Sequence, residues 1–498
     1  MLKSSSIALL ALFGAAPFAA AGTLSVPSQY PTIQAAINAA VDGDVVDVAN
    51  GTYTENINLL GKQITVKGKG INKSTILGSN GGSAVTMASG ETPSTLLTGF
   101  SIKLGTGTPI SGKLYGGGIY IAGGSDPSIL NCAIGFNTAD FGAGLFIDVG
   151  SDPLIQDCLV ANNVTGATGL GGGLYIAGNP TLDGNRITEN TATSGSGGGV
   201  YAVNTTTTFI NNEFDKNHAY YGGGLHVNGG TPSITDNLFE ENTVDRAPVN
   251  GEGAGMAIVN GATPWVSNNE VRLNKAHSGA GIYVYDAAPS IVTNLIHDNQ
   301  ASVNSTGSFG YGGGLSLGKG RGTIELNEIY QNSGAMGGGL STRSSTTTLL
   351  CGNLIDHNTT GSGIGGGLYS KDSTPTLLAN TIAANTASKG GGLYVIGKSA
   401  PTVDTSIIYF NTASSNKSFF DGTGKLTFGF SDVEAASVGG TSISVDPLFA
   451  NLATRDFSLL ATSPVIDAGN FVFSGGATDI YGNVRVNGGR VDMGAVEN

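Results

Sequence analysis

Short apolar segments recur along most of this chain. In segments such as Gly-Leu-Tyr-Ile, Pro-Ser-Ile-Leu and Cys-Ala-Ile, large apolar residues alternate with other residues. That period of two predicts β-strands with one buried face, and no helical period accompanies it. Three such segments lie between successive copies of a glycine motif, so the pattern predicts repeating units of three short strands each.

The repeat has two markers. The first is Gly-x-Gly followed by an aliphatic residue, and it begins at Gly116, Gly142, Gly171, Gly197, Gly222, Gly253, Gly279, Gly312, Gly337, Gly365 and Gly390. The second marker has two polar positions. Its first position is Cys132, Cys158, Asn185, Asn212, Asn237, Asn269, Asn294, Asn327, Asn353, Asn380 and Ser406. Its second position is always Asn, at Asn137, Asn163, Asn190, Asn217, Asn242, Asn274, Asn299, Asn332, Asn358, Asn385 and Asn411.

These markers predict an all-β fold, a single-stranded right-handed parallel β-helix. Asparagines at one position of every coil hydrogen-bond along a stack, and asparagine also tolerates the left-handed backbone of a tight turn. A β-propeller would need four longer strands in about 40 residues, which the spacing does not provide. With coils about 4.8 Å apart, eleven coils predict a rod of about 50 Å.

Both ends of such a rod need caps, because bare coils expose strand edges. The segment from Tyr30 to Ala40 predicts an amphipathic cap helix with Pro31 in its first turn. We predict a signal peptide at 1–21, cleaved after about Ala21. The N-terminal cap and the first coils are predicted at 22–115. Eleven coils follow at 116–411, and the last coils with a short β-rich C-terminal cap module occupy 412–498.

Composition narrows the class of protein. Glycine makes up 80 of 498 residues, and the formal charge is −13 with only 12% charged residues. A chain so poor in bases is unsuited to nucleic acid, and no apolar run is long enough to span a bilayer. Three cysteines exclude a disulfide scaffold. Cys132 and Cys158 share one column, either as buried thiols or as a disulfide.

Length variation falls at one corner of the predicted coil, between the second Asn and the next glycine motif. The longer segments are Val164–Leu170, Thr191–Ser196, Thr243–Glu252, Gln300–Tyr311 and Thr359–Ile364. Insertions gathered on one side of a repeat protein commonly form its binding face.

The chain resembles known β-helix proteins. The segment from Tyr30 to Gly68, which includes Gly51–Glu55, resembles the opening of the pectate-lyase-like superfamily, and the coils resemble bacterial right-handed β-helix repeat proteins. The tail, with Asp446–Phe449, Ser463–Gly469 and Asp492–Ala495, is similar to the module that closes secreted, surface-anchored β-helix proteins. The resemblance implies a fold rather than a reaction, since the superfamily includes lyases, hydrolases, esterases, epimerases and adhesins.

An aromatic column is predicted on the strand opened by the glycine motif. The residue four positions after the first glycine is Tyr120, Phe146, Tyr175, Tyr201, His226, Ala257, Tyr283, Ser316, Ser341, Tyr369 and Tyr394. We expect these rings, with Tyr285, to form an exposed stripe that stacks on sugars. The alternative is that the tyrosines stack only on each other between coils.

Basic residues gather beside the later part of this stripe, at Lys319, Arg321, Arg343, Lys371, Lys389 and Lys398. The spacing places Arg343 and Lys371 on adjacent coils. A uronate lyase needs a cation for the sugar carboxylate and a base of lowered pKa for the C5 proton. Arg343 and Lys371 are therefore the predicted catalytic pair, with Tyr369 or His357 as the acid.

Two functions follow from these patterns. One is a secreted protein, extracellular or periplasmic, that binds or acts on an anionic polysaccharide, as a lyase or C5-epimerase if it is an enzyme. The other is a non-catalytic, adhesin-like surface or matrix protein. We expect a monomer without a metal or other cofactor. The tail residues Asp467, Asp479, Arg485, Asp492 and Glu497 are read as an Arg–carboxylate network, with structural calcium as the alternative.

Overall fold

A computed structural model describes residues 21–79, 81–245, 251–302, 309–344, 347–435, 439–470, 476–486 and 489–498. The predicted signal peptide lies outside these residues, apart from Ala21. The chain winds into the predicted parallel β-helix, and three long parallel sheets of 14, 16 and 15 strands form its sides. We name them sheets 1, 2 and 3 in the order in which each coil visits them after its glycine motif.

Sheet 1 contains the strand opened by the glycine motif. Its strands are Ile57–Asn58, Val85–Met87, Ile119–Ile121, Leu145–Ile147, Leu174–Ile176, Val200–Thr205, Leu225–Gly230, Met256–Val259, Ile282–Tyr285, Leu315–Gly318, Leu340–Arg343, Leu368–Lys371, Leu393–Ile396 and Phe419–Asp421. The aliphatic residues at the two ends of the repeated triplet, such as Ile119 and Ile121, are fully buried in the helix interior. The middle residue points outward, as the alternation of strand side chains requires.

Sheets 2 and 3 complete each coil. Sheet 2 contains Thr23–Val26, Val45–Val48, Thr65–Lys67, Leu96–Thr98, Ser128–Leu130, Leu154–Gln156, Thr181–Asp183, Thr208–Ile210, Ser233–Thr235, Trp265–Ser267, Ser290–Val292, Arg321–Glu325, Thr347–Cys351, Thr376–Leu378, Thr402–Asp404 and Thr427–Gly429. Sheet 3 contains Gly51–Thr54, Ser74–Leu77, Ser101–Lys103, Ala133–Gly135, Leu159–Ala161, Arg186–Thr188, Glu213–Asp215, Leu238–Glu240, Glu270–Arg272, Leu295–His297, Glu328–Tyr330, Leu354–Asp356, Thr381–Ala383, Ile407–Tyr409 and Asp432–Val433.

Both predicted asparagine columns form hydrogen-bonded ladders. In each ladder the side-chain Nδ2 of one Asn donates to Oδ1 of the Asn one coil later, for example Asn185 to Asn212 at 2.9 Å and Asn274 to Asn299 at 2.9 Å. The left-handed backbone, however, lies one residue before each ladder position. Glu189 precedes Asn190 with φ 54°, so the asparagine is selected for its buried amide rather than for its turn conformation.

The N-terminal end is capped as predicted. The cap helix Ile33–Ala39 buries Ile33 and Ile37 over the first coil, and the Thr32 side chain accepts a hydrogen bond from the Ala35 N–H. Pro31 precedes the N-cap instead of lying within the first turn. The helix therefore begins three residues later than the amphipathic pattern indicates, because the Thr32 hydroxyl satisfies a free N–H group at that point.

The corner between sheets 3 and 1 carries the predicted insertions. Short strands at this corner, within the insertions and outside them, form three added sheets. The first contains Thr108–Ile110, Lys113–Tyr115, Thr138–Phe141 and Val164–Leu170. The second contains His218–Ala219, Thr243–Val244, Lys275–Ala276 and Gln300–Ala301, and the third contains Thr386–Lys389 and Thr412–Ser415. Parts of Thr243–Glu252 and Gln300–Tyr311 lie outside the described residues. The corner thus forms a raised border along sheet 1.

The tail covers sheet 3 of the last coils, around the antiparallel strands Phe449–Asn451 and Asp456–Leu459 and the 3-10 helix Leu452–Thr454. The Arg455 guanidinium lies 3.4 Å from the Tyr330 ring centre, and its Nε donates to Asp356 at 2.7 Å. Ala495 N donates to Thr381 Oγ1 at 2.9 Å. These contacts, all from the described part of the tail, fall on sheet 3.

The tail carboxylates are held by the protein itself. Asp479 accepts from the backbone N–H groups of Tyr481 and Asn483, and Arg485 donates to the carbonyl of Gly494 at 2.7 Å. Glu497 lies 3.9 Å from Arg485. Arg485 and Glu497 thus form an Arg–carboxylate contact in the tail.

All three cysteines are free thiols and buried, so Cys132 and Cys158 continue the asparagine column without a disulfide. Among the described residues, no helix has the length and hydrophobicity needed to cross a membrane.

Candidate functional site

The outward column of sheet 1 is in the predicted register, and its rings stack on each other. Tyr175 pairs with Tyr201 on adjacent coils, and their ring centres are 5.5 Å apart. Two stacks result: Tyr120, Phe146, Tyr175, Tyr201 and His226 form the first, and Tyr369, Tyr394 and Phe420 the second.

The expectation that this column is an exposed stripe is wrong. Tyr369 is 2% exposed and Phe146 5% exposed, because the faces of each ring are covered by the rings of the neighbouring coils. Tyr175 and Tyr394 are half-buried. Stacking between coils, the alternative considered above, accounts for most of the column.

Between the two stacks the column is interrupted, and a cavity of about 620 Å³ opens there. Ala257, Ser316 and Ser341 replace rings at three positions of the column. Gly318, in the next outward column, gives room for Tyr285, since a Cβ atom there would lie 2.9 Å from the Tyr285 ring. The cavity is lined by Tyr221, His226, Glu252, Ala257, Val259, Asn260, Tyr283, Tyr285, Gly318, Lys319, Arg343 and Ser344.

Glu252 lies on the raised border of this cavity, against Tyr283 of the floor. Burial raises the pKa of the Glu252 carboxyl, while the Tyr283 hydroxyl and the Arg343 charge act to lower it. Burial together with the nearby Glu252 raises the pKa of Tyr283 well above its usual value. Burial therefore disfavours negative charge on both groups in this part of the cavity.

His226 ends the first stack and lies at the edge of the cavity. Burial lowers its pKa to about 4, so the ring is neutral at neutral pH. Its Nδ1 atom is buried and has no hydrogen-bond partner. The ring stacks on Tyr201, with ring centres 5.0 Å apart, and a backbone hydrogen bond at Tyr221 acts to raise its pKa.

Arg343 is a half-buried cation of the cavity. Its guanidinium lies 3.8 Å from the ring centre of Tyr311, and its Nε is buried without an acceptor. Within the described residues it forms no ion pair. Its positive charge acts on Glu252, Tyr283 and Tyr369. A guanidinium with unused donors beside an aromatic wall is suited to a planar carboxylate.

The predicted pair of Arg343 and Lys371 is adjacent, as expected, with the two residues in register on neighbouring strands of sheet 1. Lys371 is exposed and does not line the cavity. Burial raises the pKa of Tyr369, which stacks between Tyr311 and Tyr394. Among Arg343, Lys371 and Tyr369, only Arg343 lines the cavity.

The other predicted residues divide between faces. His357 follows a strand of sheet 3, where its Nδ1 lies 2.7 Å from Asp356, so its expected grouping with Arg343 does not form. Arg321 belongs to sheet 2 and is also displaced from the cavity. Lys319 lines the cavity, 5.3 Å from the ring centre of Tyr285, and Lys398 is exposed beyond Asp372.

Glu252 was not predicted as a site residue; it was identified only as the last residue of an insertion. It could have been found by aligning the residue just before each glycine motif, since these residues pair between coils, as Tyr221, Glu252 and Ser278 do. That column reads Tyr115, Phe141, Leu170, Ser196, Tyr221, Glu252, Ser278, Tyr311, Met336, Ile364 and Lys389. We call it the border column; Glu252 is its single acid.

The three parallel sheets identify the chain as a right-handed parallel β-helix protein, with the cavity on sheet 1. The sequence matches the family described as "Right handed beta helix region" over residues 55–217, 173–355 and 277–428, and the chain belongs to this family. No match was found among curated proteins.

Solved structures share the architecture at low identity. Pectate lyase Pel9A is 13% identical, with 97% of this chain and 98% of that chain covered and a TM-score of 0.33. The A-module of mannuronan C-5 epimerase AlgE6 from Azotobacter vinelandii is 14% identical, with 83% and 94% covered and a TM-score of 0.33. An alpha-1,3-glucanase from Streptomyces thermodiastaticus is 15% identical, with 82% and 72% covered and a TM-score of 0.38. These likenesses concern the fold.

Proposed function

We propose that the protein is a secreted, monomeric polysaccharide-active protein that binds an acidic polysaccharide in the cavity of sheet 1. The observation that carries this proposal is the Arg343 guanidinium, which lines the cavity and forms no ion pair with a carboxylate of the described residues. A uronate carboxylate matches its charge and planar shape. Lys319 and Lys371 extend the positive charge along the groove.

We propose further that the reaction is β-elimination or C5 epimerisation rather than hydrolysis. Glycoside hydrolysis normally uses two carboxyl groups on either side of the bond. Among the described residues that line the cavity, Glu252 is the single carboxyl group. A uronate whose carboxylate is paired with Arg343 instead has an acidified C5–H bond, which a single neutral base can break.

The cavity residues supply a balanced elimination. Neutral His226 takes the C5 proton, and the electrons of the C5–H bond form the C4–C5 double bond as the C4–O4 bond breaks. The Tyr283 hydroxyl gives its proton to O4, and after the products leave, the proton held by His226 returns to Tyr283 through solvent. Epimerisation follows when the C4–O4 bond stays intact and the Tyr283 hydroxyl gives its proton to C5 from the face opposite His226.

The test is incubation of the purified protein with alginate, polygalacturonate and glycosaminoglycans. Ultraviolet absorbance reports unsaturated products, and nuclear magnetic resonance reports a changed uronate configuration. Arg343→Ala should reduce turnover by about 100-fold or more, because the developing charge loses its stabilising cation. Arg186→Ala is the matched control, since Arg186 lies on sheet 3 beside Asp215.

Three outcomes separate the alternatives. Turnover that Arg343→Ala abolishes and Arg186→Ala retains supports the enzyme. Binding that depends on Arg343 without turnover supports the adhesin-like role at the same groove. Binding or turnover that is equal in both variants would overturn the assignment of the cavity.

Export is tested separately. Residues 1–21 are proposed as a signal peptide, so the protein recovered outside the cytoplasm should begin near Gly22 in N-terminal sequencing. An exported protein that still begins at Met1 would contradict this.

A further inference from the structure

A second arrangement of rings lies on the same face, in the first coils of the repeat. Tyr120, Phe146 and Tyr175 form an inner row, with ring centres 5.5 and 5.2 Å apart. Tyr115 and Phe141 of the border column form an outer row, stacked at 5.0 Å. The rows meet nearly at right angles, 75° between Tyr115 and Phe146 and 81° between Phe141 and Tyr175.

These five rings form one cluster on the outer face of sheet 1, which we call the trough. They belong to an aromatic cluster separate from the main core, beside the small residues Ala88 and Ala122. Tyr115, Phe141 and Tyr175 are partly exposed. Later coils of the border column carry Leu170 and Ser196 at this position, so the outer row is confined to two coils. The trough therefore offers the partly exposed parts of Tyr115, Phe141 and Tyr175, with Tyr120 and Phe146 buried beside them.

The charge at the trough is opposite to that at the cavity. Asp148 lies close enough to raise the pKa of Tyr120 and Tyr175, where burial is the larger cause and brings Tyr175 to about 12. Asp140 accepts from the Leu114 N–H beside the outer row. Lys113 is the nearest cation in sequence, on the strand that carries Tyr115. Anionic sugars are disfavoured beside two carboxylates, whereas uncharged sugars are not.

The trough and the cavity share one groove. The inner row continues through Tyr201 to His226, which lines the cavity, and the border column continues from Phe141 to Tyr221 and Glu252. Two coil steps separate Tyr175 from His226, or about 10 Å along the rod. One extended polysaccharide chain can therefore occupy both.

We propose that the trough formed by Tyr115, Tyr120, Phe141, Phe146 and Tyr175 binds an uncharged stretch of the same polysaccharide whose acidic residues occupy the cavity. This inference rests on the proposed function and names its substrate class: a polymer with neutral and uronate stretches, not a uniformly charged one. Neutral sugars present C–H faces to the rings, while their hydroxyls remain in water.

The experiment measures binding of four probes by calorimetry: polygalacturonate and alginate, each unmodified and fully methyl-esterified. Esterification removes the charge and keeps the backbone. The double variant Tyr115→Ala/Phe141→Ala should weaken binding of an esterified polymer by roughly two- to tenfold per ring and leave binding of the unmodified polymers nearly unchanged. Arg343→Ala should show the reverse selectivity.

Phe136→Ala is the matched control, because it removes an exposed ring that follows a strand of sheet 3. Thermal denaturation of each variant checks the fold. Failure of both esterified polymers to bind the unaltered protein overturns the inference, as does equal binding by the double variant and the Phe136 control. In either case, a selective loss of uronate binding in Arg343→Ala still supports the proposed function. If Arg343→Ala binds uronates as well as the unaltered protein does, the proposed function is overturned, whatever the result for the trough.

Discussion

The early and middle coils of sheet 1 share one backbone but differ in their outward surface. In the early coils the ring column is continuous from Tyr120 to His226, and nearby charges such as Asp148 are acidic. In the middle coils Ala257 and Ser316 interrupt the column, and Arg343 and Lys319 supply positive charge.

The difference shows how a repeat protein acquires a site. The second asparagine ladder and the buried aliphatic residues continue beneath both regions, so the scaffold does not depend on the side chains outside it. A cavity forms where small residues replace stacked rings. Burial of the side chains around it shifts the pKa values of Glu252, Tyr283 and His226. The following predictions test this separation of scaffold and surface.

The largest effect should come from the ladder, and it should be the same in both regions. Asn163→Ala in the early coils and Asn332→Ala in the middle coils each remove a buried amide that bonds to neighbouring coils. Each should lower the free energy of unfolding by about 3 kcal/mol or more, because buried groups lose their partners. Chemical denaturation measures this. A much smaller loss in one region would mean that the scaffold is not uniform.

His226 marks the boundary between the regions and should govern part of the acid stability. Folding favours its neutral ring, so its contribution is fully present above pH about 6.5 and is lost as the pH falls towards about 4. His226→Phe keeps the stacking and should remove up to about 3 kcal/mol of this acid-dependent loss. Unfolding measured across that pH range should show a flatter acid limb in the variant. Identical acid limbs would contradict the pKa assignment.

Restoring the ring column should abolish the cavity. Ala257→Tyr places a ring between His226 and Tyr283, and we expect at least about a tenfold loss of uronate binding with little loss of stability. Ser290→Tyr, on the outward face of sheet 2, adds the same ring away from the groove and should bind normally. Calorimetry and thermal denaturation measure the two effects. Unchanged binding by Ala257→Tyr would place the ligand elsewhere.

The smallest effect should come from Lys371, which lies beyond the cavity. Lys371→Ala should weaken binding of long acidic chains by about two- to fivefold, since an exposed cation contributes little and is screened by salt. Lys216→Ala, an exposed lysine that follows a strand of sheet 3, should have no such effect. A salt titration distinguishes the two variants. A loss as large as that of Arg343→Ala would place Lys371 in the site.

Much of the fold follows directly from the sequence. A strict spacing of glycine and asparagine fixes the coil, and a period of two fixes which residues face inward, so Tyr175 stands beside Tyr201 and Arg343 beside Lys371 as predicted. These relations depend only on strand geometry, which is the same in every coil. The repeat therefore predicts register without any knowledge of contacts.

The exposure of the ring column and the grouping of residues around the cavity depended on the tertiary structure. A column of tyrosines has one sequence pattern whether the rings meet solvent or each other, and only the distance between coils decided that they stack and become buried. His357 and Arg343 are close in sequence but stand on different sheets, whereas Glu252 and Arg343 are distant in sequence and act on each other across the cavity. Burial and charge are sums over neighbours from several coils, and a linear sequence does not contain those sums.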